Sequence, residues 1–190
     1  MKRLKKISTI LFLMIILAGC TGKTETSDNI YDKIHKFYYD IKSYSTNCSI
    51  TTFTKASQNT YDCKVDYNQK DENYTVTSDD MKIFLTKEKC VISKGENTIE
   101  SPAVKEDMYI FINTFFKSYY ESEDTVLAVN SNSSADTVLL ECSAVNPSKY
   151  VSCMKLWINK NNVLPQKMEI IDKEGSVNTE ILFRDFKFAN

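Results

Sequence analysis

Tyr61, Cys63, Val65 and Tyr67 alternate with Asp62, Lys64 and Asp66. This period of two constrains the fold more than any other feature of the chain. Apolar and charged residues in strict alternation describe a strand with one face buried and one in water, as in an antiparallel sheet. Related segments recur on both sides. Residues 48–53 are rich in β-formers, and residues 73–77, 81–85 and 90–93 follow, with 79–80 and 94–97 as turns. Further segments at 125–129, 137–144, 151–159 and 164–172 precede a last one that starts at Val177. There the apolar set shifts from Ile181 and Phe183 to Phe186 and Phe188. A slip of one residue reverses the faces of a strand, so a bulge is predicted near Arg184-Asp185.

Two stretches carry the helical period instead. Ile30, Ile34, Phe37, Ile41 and Tyr44 fall on one face and predict a helix over residues 28–44, capped by Ser27, Asp28 or Asn29. Ser101 as N-cap and Pro102 at the first helical position predict a second helix running to about Tyr120. Its stripe is Met108, Phe111, Ile112, Phe115, Phe116 and Tyr119. Consecutive strands with only two helices give an α+β class: a strongly curved antiparallel sheet, an open half-barrel, covered by two helices.

The chain begins with a basic segment, Met1 to Lys6, followed by an uncharged run and Leu17-Ala18-Gly19-Cys20. A basic start, a short apolar core and small residues before a cut site describe an export signal. The run is shorter than the roughly 20 apolar residues a membrane span needs. Leu-Ala-Gly-Cys resembles the lipobox of bacterial lipoproteins. That resemblance implies cleavage after residue 19 and a diacylglycerol on Cys20, with acyl chains of the palmitate type. Two chains meet the requirement for stable anchoring. The expected division is a signal peptide over 1–19, a lipidated polar tether over 20–27 and one domain over 28–190. Cleavage removes four positive charges from a chain of net charge −1 and leaves −5. Arg184 is then the only arginine, which argues against nucleic-acid recognition.

Five cysteines remain beyond Cys20: Cys48, Cys63, Cys90, Cys142 and Cys153. Cys142 and Cys153 flank a turn at Asn146-Pro147-Ser148. A hairpin symmetric about residues 147 and 148 would set them opposite one another, so they are either a candidate disulfide or two buried thiols. An odd count leaves at least one thiol free or paired with another chain. There is no C-x-x-C and one histidine, His35, so no zinc spacing is present and no metal or cofactor is expected. His35 sits one residue from the apolar stripe of its helix, without a partner motif for catalysis. The carboxylates are scattered, and Gly22, Gly95 and Gly175 form no phosphate loop. No enzymatic activity is expected.

The stretch LWINKNNVLPQKMEI holds the only tryptophan, Trp157. It reads as a strand, a polar turn at Lys160-Asn161-Asn162, and a second strand entered through Pro165. With the final ILFRDFKF, it resembles the LolA/LolB-like lipoprotein-carrier superfamily, where such a hairpin and closing strand recur. Asn159 stands where that family usually has aspartate. The lipidated, Lys- and Asn-rich character resembles the GerS-type germination lipoproteins within it. The resemblance implies a non-catalytic role in spore germination, with a cortex N-acetylmuramoyl-L-alanine amidase of the CwlD type as partner. It also implies a place on the outer face of a membrane of the forespore or spore envelope. The alternative is a carrier of lipid or lipoprotein, with Phe111, Phe115, Phe116 and Trp157 lining an apolar groove or filling it as core. The size of the aromatic set, and the lack of the early lid-holding arginine found in carriers, favour filling. Free sheet edges also allow a strand-exchanged homodimer.

Overall fold

In the computed structural model, residues 27–129 and 136–188 are described. Cys20, the expected signal peptide and nearly all of the expected tether lie outside them. The first helix, α1, spans Ser27–Tyr38, and the second, α2, spans Ile112–Glu121. A 3-10 helix covers Lys105–Ile110. The strands are β1 Ser43–Phe53, β2 Gln58–Asn68, β3 Asn73–Thr77, β4 Met81–Leu85, β5 Lys89–Lys94, β6 Asn97–Pro102, β7 Thr125–Val129, β8 Thr137–Ser143, β9 Cys153–Asn159, β10 Pro165–Ile171 and β11 Val177–Phe188.

All eleven strands join one antiparallel sheet in the order β6-β5-β4-β3-β2-β1-β11-β10-β9-β8-β7. It consists of two meanders. Within each, consecutive strands pair because short polar turns return the chain at once. At the β1–β2 turn, the Thr54 hydroxyl accepts the N–H groups of Ala56 and Ser57. The two meanders meet only where β1 pairs with β11. The expected curved antiparallel sheet with few helices is the observed architecture, open at β6 and β7.

The bulge lies where the face shift predicts it. Ser45 pairs with Lys187 but Asn47 pairs with Arg184, so one extra residue sits on β11. Asp185 takes it up in the left-handed region, at φ 52°. The buried Thr46 hydroxyl donates to the Arg184 carbonyl at 2.9 Å, and the Asn47 amide donates to the Asp185 carboxylate at 3.2 Å. These bonds occupy acceptors at a point where the ladder is interrupted. Ile181 on one side and Phe186 on the other are both buried.

Two helix expectations are corrected. The first helix ends at Tyr38, six residues early, and Tyr44 instead starts the buried row of β1. Tyr38 rather than Phe37 takes the inward position, because residues 30, 34 and 38 are one turn apart; Phe37 is 46% exposed. Ser101 and Pro102 do not open a helix. They finish β6, an edge strand, where proline's missing donor is tolerated. The second helix begins at Ile112, with Phe111 as an N-cap that offers no side-chain hydrogen bond.

Both helices bury their apolar faces on the same side of the sheet, α1 against β7 and α2 against β8. Tyr38 stacks on Phe116 with ring centroids 4.1 Å apart, and Tyr74 stacks on Phe111 at 3.8 Å. The Tyr38 hydroxyl donates a 2.7 Å hydrogen bond to the Val163 carbonyl. That bond ties α1 to the β9–β10 turn, where Val163 is held at φ 60°, a costly conformation for a β-branched residue. Replacing Tyr38 by phenylalanine leaves this carbonyl buried and unpaired. A loss of about 1–3 kcal/mol is expected in urea unfolding; an unchanged midpoint and slope would mean the bond carries nothing.

Candidate functional site

The helices cover the C-terminal meander, and the N-terminal meander has less above it. The start of α2 reaches β3, where the Asn113 amide donates to the Tyr74 hydroxyl, but over β4 and β5 the inner face is only partly covered, by the 3-10 helix and neighbouring loops. Tyr109 is buried, while Met108 and Ile110 lie partly buried against the core. Met81, Ile83 and Ile92 follow the inward alternation of β4 and β5 yet stay only half-buried. They line a groove of about 500 Å³ together with Val76, Leu85 and Phe111. That volume lies in the range of small-molecule sites, and its wall is mostly apolar, as such sites are.

Polar groups gather along part of it. Glu106 and Asp107 of the 3-10 helix line the groove, as do Tyr61 and Tyr150. Burial, and secondarily the Glu106 charge, push the Asp107 carboxyl above its ordinary value. The Cys63 and Cys90 side chains lie on the same wall.

The residues singled out in the sequence do not form one site. Phe111 touches the groove, whereas Phe115 and Phe116 are sealed in the core at 0% and 2% exposure. Trp157 is on the outer face of the sheet, because Leu156 and Ile158 on either side of it are buried inward. It is half-buried there, next to Leu139 and Lys167 in the ladders, with the Lys167 ammonium 5.1 Å from its ring centroid. Phe115 and Phe116 fill part of the concavity and Trp157 none of it, and a groove stays open beside them, so the expectation that the aromatic set packs the concavity is corrected. In the β9–β10 turn, the Asn159 side-chain oxygen accepts from the Asn161 and Asn162 N–H groups. A carboxylate would make the same bonds, which explains why asparagine serves there.

The Cys142–Cys153 bridge is also corrected. The hairpin is centred on Ser148, so Cys142 faces Met154 and Cys153 faces Ser143. The two thiols therefore point to opposite faces and both are free. Burial pushes the Cys142 thiol up to about 12 and the Cys153 thiol to about 11, the nearby Glu141 adding to both. The cysteines that do meet are Cys48 and Cys63, directly opposite on β1 and β2 with sulfurs 3.4 Å apart. The signal for this pair was the Thr54–Ser57 turn, about which residues 48 and 63 are symmetric.

His35 lies among the rings of Tyr31, Tyr39 and Tyr120, at centroid distances of 5.8, 4.6 and 5.3 Å. Its Nδ1 makes no hydrogen bond. On the outer face, Arg184 pairs with Asp62 at 2.6 Å and donates to the Ser49 hydroxyl, which in turn donates to Asp62. The Ser49 bond first, and the Arg184 charge after it, hold the Asp62 carboxyl below its ordinary range. Among the described residues no three His, Cys, Asp or Glu side chains converge as metal ligands. None of the helices among them is long and apolar enough to cross a membrane.

The family described as sporulation protein YdcC-like matches residues 1–190. A search of curated proteins gives no match. Among solved structures, the chain is similar to one described as the CwlD amidase from Clostridioides difficile in complex with the GerS lipoprotein. Identity is 22% over 90% of this chain and 100% of that one, with a TM-score of 0.48. It is similar to the LolA superfamily protein NE2245 from Nitrosomonas europaea, at 14% identity over 88% and 95% of the two chains and a TM-score of 0.48. A third is LprF from Mycobacterium bovis, at 12% identity over 86% and 96% and a TM-score of 0.44. GerS and LolA-superfamily proteins, the two kinds of relative named by the sequence resemblance, are thus among the chains this one is similar to.

The Asp107 shift has a direction that can be checked. A carboxyl whose folded pKa is raised contributes stability below its ordinary value of 3.8 and loses it as pH rises through the folded value. Asp107→Asn is therefore expected to raise the melting temperature at neutral pH, with the gain fading below pH 3.8. A gain that persists unchanged in acid would place its origin elsewhere.

Proposed function

From its membership of the YdcC-like sporulation protein family, to which the chain belongs over its whole length, we propose that it is a non-catalytic lipoprotein of the spore envelope. It binds and supports a cortex N-acetylmuramoyl-L-alanine amidase of the CwlD type during germination. The family match over residues 1–190 carries the reading. The sequence resemblance of the Leu156–Ile170 hairpin and the closing strand to GerS-type proteins narrows the partner to such an amidase. GerS itself is in complex with CwlD in the structure named above.

The geometry is compatible with binding. The groove offers apolar surface, and His35, the single histidine, is enclosed by tyrosine rings rather than set beside a nucleophile. At the sheet edge, all six residues of β6 are exposed, and among the described strands β6 pairs with β5 alone. An extended segment of a partner can add there through main-chain hydrogen bonds, and so can β6 of a second copy, giving the strand-exchanged homodimer. Cys20, with its two acyl chains, holds the assembly to the membrane.

The open groove favours a second reading, a carrier of an acyl chain. Affinity capture of the full-length chain, with Cys20 intact or changed to alanine, separates the two. Retention of the amidase by both forms, lost when Ile99 in β6 is changed to proline, is the expected result. No retention, with acyl chains extracted from the purified Cys20→Ala form, would favour the carrier. Sedimentation of that form as a monomer at all concentrations would remove the homodimer.

A further inference from the structure

We propose that Cys48 and Cys63 form a dithiol site that closes to a disulfide by exchange with a small-molecule disulfide admitted through the groove. The two residues are directly opposite in the β1–β2 ladder, with sulfurs 3.4 Å apart. A bonded pair sits at about 2.05 Å, so closure needs a movement of only about 1.4 Å, within reach of side-chain rotation. Both side chains are buried, at 2% and 7% exposure, but Cys63 also forms part of the groove wall. The pair is therefore hidden from proteins and open to small reagents.

Among the described residues no other thiol competes. Cys90 shares the groove but lies on β5, three strands from β2. At about 4.8 Å per strand, that is roughly 14 Å away. Cys142 and Cys153 belong to the other meander.

The asymmetry of the pair sets the order of events. The two sulfurs share one contact in which either thiol can donate, and of the two only Cys63 lines the groove, where the small disulfide arrives. Cys63 as thiolate attacks one sulfur of the small disulfide; the S–S bond breaks and one small thiolate leaves, taking up a proton. Cys48 then loses its proton to solvent and attacks the Cys63 sulfur of the mixed disulfide. The second small thiolate leaves and is protonated. Two protein thiols are oxidised to one disulfide, and one small disulfide is reduced to two thiols. The staple falls at the centre of the sheet, on the strand that joins the two meanders. It forms in an oxidising compartment and opens in a reducing one.

The test treats the full-length chain with hydroxyethyl disulfide, denatures it, alkylates free thiols and maps peptides without reduction. A Cys48–Cys63 crosslink is expected, with Cys90, Cys142 and Cys153 still alkylated and the link reversed by dithiothreitol. Alkylation of both Cys48 and Cys63 after treatment, or linkage of either to another cysteine, overturns the proposal. In Cys48→Ala closure has no second thiol, so a hydroxyethyl adduct on Cys63 should persist, whereas in Cys63→Ala the Cys48 thiol, which does not line the groove, should stay unmodified. An adduct on Cys48 in the second variant, or none on Cys63 in the first, contradicts the assigned order, and the wild-type map decides closure without relying on any variant.

Discussion

The pairing of β1 with β11 is the interaction on which the rest of the molecule depends. Without it the chain would be two separate meanders, β1–β6 and β7–β11, each with an apolar face and no shared hydrogen-bonded ladder to set their register. The partners are far apart in sequence: Ile50 meets Ile181, and Tyr44 meets Phe188. Closing such a distance costs chain entropy before any contact returns it. The register must also be right on both sides of the bulge. Asp185 absorbs the extra residue, and Thr46 and Asn47 hold it, so that Ile181 and Phe186 both point inward.

The concave face that this seam holds together has two unlike parts, with the groove running across the seam from Ile83 to Ile170 and Thr179. On the C-terminal side, α1 and α2 close over β7–β11, and Tyr38, Phe115 and Phe116 fill the space. Over β4 and β5 the 3-10 helix is too narrow a roof, and Ile83, Ile92 and their neighbours are left lining a groove. A packed half gives rigidity, and an open half gives surface for recognition. The chain that carries this arrangement belongs to a family of sporulation proteins.

Much of this was legible in the sequence because period-two alternation depends on one-sided burial, which is what the sheet enforces. The bulge was legible for the same reason, since the shift from Phe183 to Phe186 has no other simple cause. What failed were features that local chemistry leaves ambiguous. Ser101-Pro102 serves the end of an edge strand as well as the start of a helix. The end of α1 was set by tertiary pairing, which took Tyr44 into β1. Cys142 and Cys153 missed each other through a hairpin centre displaced by half a residue. Trp157 was the reverse case: its size suggested the interior, yet parity with Leu156 and Ile158 places it outside, where the aliphatic stem and ammonium of Lys167 cover it.

Native-state hydrogen exchange on the β1–β11 seam tests the central dependence most directly. If the seam joins the meanders into one cooperative unit, the paired amides of Ser49–Thr52 and Thr179–Leu182 exchange only through global opening. They should share the opening free energy of the β9–β10 amides. Seam amides that exchange well ahead of β9 and β10, with the two meanders opening at separate denaturant midpoints, would contradict it.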